Sequence, residues 1–326
     1  MVQLGVALSS EEHGARSLVE QAVEAEEAGF EFALISDHYH PWIDQQGQSP
    51  FVWSTLGAIA RATHRLQVGT GVTCPLIRIH PAIIAQAAAT TQQLFDGRFF
   101  LGLSTGENLN EHVLGDHWPR PSVRAAMLEE AVGLIRHLWE DGVKSWDGDH
   151  YRVDRARIYS LPEPLPPIVL AGVGRKAAEL AGRIGDGLIS TAPQAELVKA
   201  FQAAGGGSKP RYGQATVCWA RSEKEATETA LKWWPILGIG GELNAELPTP
   251  RDFESASETV RPEDVSSKAA LGPDPARHIE LLRKYAEAGF DHVYVHQVGP
   301  DQAGFHRFYR EHVMPAVSES ELSKSA

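Results

Sequence analysis

The chain has 326 residues, 43% of them apolar, with 42 acidic and 30 basic side chains and a formal charge of −12. That length suits one large barrel or two ordinary domains, and the apolar fraction suffices for a sizeable core. An acidic surface without a basic stripe repels phosphate backbones, which excludes nucleic acid as a partner and leaves any anionic ligand to be held locally.

Two cysteines, Cys74 and Cys218, lie far apart without paired spacing. They support neither a disulfide framework nor a Cys-based zinc site, and they fit a reducing compartment. No apolar run approaches about 18 residues, so a soluble, cytoplasmic protein with no membrane contact is expected.

In chain order, strands are predicted at Leu4–Leu8, Phe32–Ser36, Gln67–Val72, Phe99–Leu103, Ile168–Ala171, Gly187–Ser190, Gln214–Trp219 and His292–His296. Helical patterns follow at Ala15–Glu27, Pro81–Leu94, Val123–Trp139, Lys176–Ile184 and Pro275–Ala286. Pro81 and Pro275 suit a first helical turn, where the missing N–H costs nothing. Strand–helix alternation implies a parallel sheet covered on both faces. Eight such strands favour a closed (β/α)₈ TIM barrel, one domain over residues 1–326, over an open doubly wound sheet. A turn echo supports this: Glu27-Ala28-Gly29-Phe30-Glu31, Ala181-Gly182-Arg183-Ile184-Gly185-Asp186 and Glu287-Ala288-Gly289-Phe290-Asp291 each precede a strand. In each, a glycine past the helix can take the left-handed conformation that ends it.

Three stretches break the alternation. Asp147-Gly148-Asp149 reads as the turn of a small hairpin, and Pro162 to Pro167 as a stiff connector. Residues 234–272 are polar, Pro-rich and weakly periodic, and are expected to form an insertion that covers the barrel mouth as a lid.

A barrel works where its strands hand over to the following loops. After the second strand comes Asp37-His38-Tyr39-His40-Pro41-Trp42, after the third Thr73-Cys74-Pro75, and after the fourth Ser104-Thr105-Gly106-Glu107-Asn108. Gly172-Val173-Gly174 follows the fifth, Thr191 the sixth, and His296-Gln297 the eighth. His38 is a candidate general base because imidazole titrates near neutrality, or else a loop histidine satisfied by backbone groups. His40 and His80 are weaker candidates. Trp42 is a core ring or a wall for a planar ligand. Glu107 donates a proton or binds a hydroxyl, or it caps the next helix. Gly172 to Ala177 follows a strand and opens a helix, so its amides can approach a phosphate, although no dinucleotide domain surrounds it. No HExxH, GxSxG or Walker pattern occurs, and no metal site is expected.

The stretches Ser36 to Trp42, His80 to Gln86, Gly97 to Gly102, Thr105 to Glu111 and Ala181 to Gly187 resemble the luciferase-like barrel superfamily. Within it the resemblance is to the F420-dependent, glucose-6-phosphate dehydrogenase-like branch, and it runs along nearly the whole chain. It implies an oxidoreductase that moves a hydride between a substrate alcohol carbon and C5 of the deazaflavin coenzyme F420, in a homodimer. It further implies His38 as base, Glu107 as the acid serving the coenzyme ring, and Trp42 as the aromatic neighbour of the reacting centre. Asp37, Gly71, Val72, Thr73, Thr105, Gly106, Asn110 and Ala171 to Gly174 (Ala171, Gly172, Val173, Gly174) match coenzyme-binding positions, with Gly71-Val72 at the family's non-prolyl cis bulge. Trp42, Thr191, Gln194 and Lys268 match the substrate side. One departure stands out: the sugar-phosphate enzymes carry a lysine three residues after the strand-six threonine, where this chain has Gln194, so glucose 6-phosphate is the less expected substrate. The alternatives are an FMN-dependent monooxygenase of the same superfamily and a non-catalytic flavin-binding barrel.

Overall fold

All eight predicted strands are present in the computed structural model, which describes residues 2–319; Met1 and residues 320–326, which the one-domain expectation also spans, lie outside it. They are β1 (Gln3–Leu8), β2 (Phe32–Ile35), β3 (Gln67–Thr70), β4 (Phe99–Leu103), β5 (Ile168–Ala171), β6 (Gly187–Ser190), β7 (Arg211–Cys218) and β8 (His292–Gln297). Each pairs in parallel with the next, and β8 pairs with β1, so the sheet closes into a barrel without an edge. The third strand is two residues shorter than expected, and the seventh begins three residues earlier.

Alternation decides which side chains fill the centre. In β2, Phe32 and Leu34 point into the barrel, where they cluster with Phe100, Val169, Ile189, Tyr212 and Tyr294. Ala33 and Ile35 point outward into the larger core between sheet and helices. The interior is aromatic because glycines make room for it. A Cβ at Gly5 would lie 2.6 Å from the Phe32 ring, and one at Gly69 would lie 2.2 Å from the Phe100 ring. Phe100 and Tyr212 stack with centroids 5.0 Å apart, in the packed layers that make such a barrel solid rather than open.

The outer helices include α1 (Ala15–Ala28), α2 (Val52–Ala62), α3 (Pro81–Leu94), α4 (Pro121–Leu138), α5 (Arg175–Ile184), α6 (Ala195–Phe201), α7 (Glu223–Trp233) and α8 (Pro275–Glu287). Of these, α2, α6 and α7 lie outside the predicted helical patterns. The Ser222-to-Glu225 cap of α7 was readable, for the Ser222 hydroxyl accepts from the Glu225 amide. Gly29 and Gly289 adopt the left-handed conformation the turn echo anticipates, with φ of 100° and 95°. Gly185 does not: its φ is −91°, because the chain leaves α5 directly in extended form toward β6.

The expected hairpin pairs Lys144–Asp147 with Arg152–Ala156. Residues 234–272 fold into a 3₁₀ turn, short helices at Leu243–Glu246, Pro250–Ser257 and Pro262–Ser266, and a two-residue strand, Ala270–Leu271, that pairs with Val217 and Cys218 of β7. Trp234, Ile236, Phe253 and Val265 of this segment share one apolar cluster with Ile43, Leu109 and Val298 of the barrel loops and with Cys218, Ala226 and Ala230 of β7 and α7. Among the described residues no helix is long and apolar enough to cross a membrane, and no group of three His, Cys, Asp or Glu is placed to hold a metal.

Gly69→Ala should overpack the barrel interior by about 1–3 kcal/mol and lower the thermal unfolding midpoint. Adding Phe100→Leu should recover part of that loss, and a double mutant whose effects merely add would show that the two sites do not touch.

Candidate active site

At the carboxyl ends of the strands a cleft of about 2320 Å³ opens, floored by Ala7, Leu34, Val72 and Ile189 from the barrel strands and loops. The chain leaving β2 keeps alternating: Ser36 and His38 line the cleft, and Asp37 between them turns beneath it. This period of two separates neighbours that the sequence places side by side.

His38 is 9% exposed. Its Nε2 lies 3.4 Å from Glu11 Oε1, and its Nδ1 lies 3.1 Å both from the His40 carbonyl oxygen and from Asn110 Nδ2. Asn110 Oδ1 accepts from the Tyr39 and His40 amides at 2.9 and 3.2 Å, which fixes its NH₂ toward the ring. With Nδ1–H donated to the His40 carbonyl, Nε2 is the bare nitrogen. With Nδ1 accepting from Asn110, Nε2 carries the proton beside Glu11. These are the two neutral tautomers; once protonated, the ring would turn Nδ1–H to the His40 carbonyl and Nε2–H toward Glu11, which suits a base that takes up a proton.

Glu11 comes from the loop after β1, and the sequence argument had passed over it. Ser36 donates to its Oε2 at 2.6 Å and Ser9 at 3.1 Å. Burial alone would push its carboxyl up, but the His38 ring, the Ser36 hydroxyl and His296 together hold it below the ordinary value. It is therefore an anionic neighbour for the imidazole. The signal was available: Ser9-Ser10-Glu11-Glu12 directly follows the first strand.

Glu107 lines the same cleft and makes no helix-capping bond, so the capping alternative is not realised. Burial raises its carboxyl above the ordinary value and Glu11 adds to this, against the opposing pull of His38, Asn110 and Arg78. Such a carboxyl keeps its proton to a higher pH than an exposed one. The Trp42 ring lies 5.1 Å from the His38 ring and meets Phe253 of the 234–272 segment edge-on, also at 5.1 Å. His40 and His80 have structural contacts: His40 Nδ1 lies 2.9 Å from the Leu109 carbonyl, and His80 caps α3.

Gly71, Val72, Thr105 and Gly106 line the cleft, and the Gly71–Val72 peptide is cis. Gly106 has φ +69°, and a Cβ there would lie 2.5 Å from Cys74 Sγ, so only glycine fits. Ala171, Val173 and Gly174 line the rim, and Gly174 precedes the first turn of α5 without a side-chain cap. Gly172 instead packs against α5, where a Cβ would lie 3.0 Å from the Ala178 nitrogen. Thr191, Gln194 and Lys268 also line the cleft, but the Lys268 ammonium donates to the Leu237 carbonyl at 2.6 Å.

Asp37, Thr73 and Asn110 support the cleft from outside its lining. Asp37 Oδ1 pairs with Arg78 Nη2 at 2.8 Å, and its Oδ2 accepts from the Thr73 hydroxyl at 2.8 Å. Arg78 Nε reaches Glu111 Oε1 at 3.4 Å, and Glu111 Oε2 accepts the Arg78 amide at 2.9 Å. Both carboxylates are fully buried, and this ion-pair set ties together the loops after β2, β3 and β4. Arg78 carries no motif of its own, and only the fold shows its role.

Comparison with known proteins agrees with this geometry. The profile of the family described as luciferase-like monooxygenase matches residues 1–292. An F420-dependent glucose-6-phosphate dehydrogenase of Nakamurella multipartita is 34% identical over 97% of this chain and 96% of its own length. Its namesake from Kribbella flavida is 37% identical over 97% and 98%. Among solved structures, an F420-dependent secondary alcohol dehydrogenase bound to an F420-acetone adduct superposes with a TM-score of 0.90 at 29% identity, covering 97% of this chain and 99% of that one.

Arg78→Met should cost about 3–5 kcal/mol, because it strands buried carboxylates. Burial already holds the Glu111 carboxyl above its ordinary value despite Arg78. A raised carboxyl penalises the folded state above its unfolded pKa and is relieved as pH falls. The gap in unfolding midpoint between wild type and variant should therefore narrow from pH 7 to pH 5; a constant gap would refute this account.

Proposed function

The chain belongs to the luciferase-like monooxygenase family, and we propose that it is a coenzyme F420-dependent oxidoreductase that moves a hydride between a substrate alcohol carbon and the deazaflavin. The observation that carries this reading is the meeting of His38 and Glu107, from two separate loops, on one cleft beside Trp42. An imidazole with an anionic neighbour and a carboxyl whose titration burial raises make a proton-handling pair. The full-length likeness to proteins named F420-dependent dehydrogenases supports the same reading.

The residues present fit the coenzyme. The apolar floor of Ala7, Leu34, Val72 and Ile189 suits a flat ring, and the uncapped first turn of α5 at Gly174 offers free amides to a phosphate. Bound there, F420 would supply a two-electron hydride donor or acceptor at C5. His38 takes the proton from the substrate hydroxyl at a ring nitrogen, and Glu11 provides the counter-charge. Glu107 holds the second proton at its carboxyl on the coenzyme side. Trp42 keeps water from the reacting carbon, and Thr191, Gln194 and Lys268 meet the far part of the substrate. Asp37, Thr73 and Asn110 act through the loops they fix. We read the chain as one barrel domain with residues 234–272 as its lid, in a cytoplasmic homodimer; sedimentation of the purified protein tests the last point.

An FMN monooxygenase or a non-catalytic barrel would not need this acid–base pair. Titration with oxidised F420 and with FMN separates the readings: F420 should bind and FMN should not, and the reverse would move the chain to the monooxygenase class. His38→Ala should lower kcat by about 10²–10⁴-fold with the coenzyme Kd unchanged. The rate should fall as pH rises through the raised titration of Glu107, and Glu107→Gln should remove that limb from the profile.

A further inference from the structure

His296, near the end of β8, lines the same cleft as His38 and has so far entered only as one of the groups that hold Glu11 ionised. It is 3% exposed, and neither ring nitrogen has a hydrogen-bond partner. Its Nε2 lies 3.6 Å from Glu12 Oε2, beyond hydrogen-bond reach, and that oxygen is likewise unpartnered. The other Glu12 oxygen accepts the Gly299 amide at 2.9 Å, which anchors the carboxylate. Trp234 lies edge-on against the imidazole at 4.4 Å. Native interiors pair nearly all such atoms, and each unpaired one costs about 1–3 kcal/mol.

The pattern repeats that of the reacting centre. Consecutive residues of the loop after β1 face two imidazoles, Glu11 at 3.4 Å from His38 and Glu12 at 3.6 Å from His296. We propose that His296 is a substrate-binding residue that hydrogen-bonds a second oxygen of the alcohol, away from the carbon that His38 serves. A neutral imidazole offers one donor and one acceptor, and a hydroxyl matches both. The preferred substrate therefore carries a further hydroxyl, since a bare hydrocarbon substituent would leave the ring unpaired against Trp234. This rests on the hydride-transfer reading above.

The test uses cyclohexanol and trans-1,2-cyclohexanediol, which differ by one hydroxyl, with the coenzyme-loaded full-length protein. Wild type should favour the diol in KM. His296→Ala should erase that preference by roughly 5- to 100-fold, with the coenzyme Kd within about twofold. His296→Gln, which keeps a donor and an acceptor, should restore part of it. An unchanged diol-to-cyclohexanol ratio in His296→Ala, or a loss shared equally by both alcohols, overturns the assignment. If His296→Ala does not fold, ¹⁵N spectra of the wild-type imidazoles decide: the diol should shift the His296 resonances and cyclohexanol should not, and equal responses overturn it. A wild type that binds no F420 sinks the cofactor reading alone, because the ¹⁵N comparison needs no coenzyme.

Discussion

The buried guanidinium of Arg78 sits between Asp37 and Glu111, with both carboxylates withdrawn from solvent. One cation facing two anions leaves that pocket net negative, so neither acid can be spared its partner cheaply. The set joins the loops that carry His38, the Gly71–Val72 peptide and Glu107. Three chain segments distant in sequence are thus held in one register by charge that never meets the substrate. Geometry for proton transfer tolerates only small errors, and a deep ion-pair set is a stiffer brace than loop backbone alone.

The division of labour between Asp37 and His38 follows from strand geometry. Because side chains alternate, one residue faces down into the brace and the next faces the cleft, so structural and chemical duties lie on adjacent residues without competing for space. Glu107 and Glu111 divide the work similarly two loops further on, the first lining the cleft and the second pairing with Arg78. The two buried acids differ in what surrounds them: Glu11 is ringed by donors and imidazoles and is held ionised, whereas burial and the nearby Glu11 charge hold Glu107 toward its acid form.

Much of this was legible from the chain alone. Short apolar runs between amphipathic stretches marked all eight strands, and strand-end positions marked His38, Trp42 and Glu107 as cleft candidates. What remained hidden depends on contacts distant in sequence. Asp37 is a coenzyme contact by family resemblance, and its carboxylate is engaged by Arg78, forty-one residues away. Thr73 and Asn110 are buried beside the cleft lining, a placement that the motifs do not show. Helix α2, with a weak start at Phe51 and an internal Gly57, carried too little local signal, and Gly185 departed from a turn pattern that its two counterparts obeyed.

The 234–272 segment meets the cleft through two aromatic edges, Phe253 on Trp42 and Trp234 on His296, and its far end is stitched to β7 by the short Ala270–Leu271 strand. The base, its carboxylate neighbour and the ion-pair brace all come from residues 11–111. The wall that shapes the other end of the cleft therefore lies on a separate stretch of chain, packed into an apolar cluster that it shares with β7, α7 and the barrel loops. Such modularity lets descendants of this barrel vary what they accept while inheriting how they react, since the recognising surface can drift without disturbing the proton chemistry.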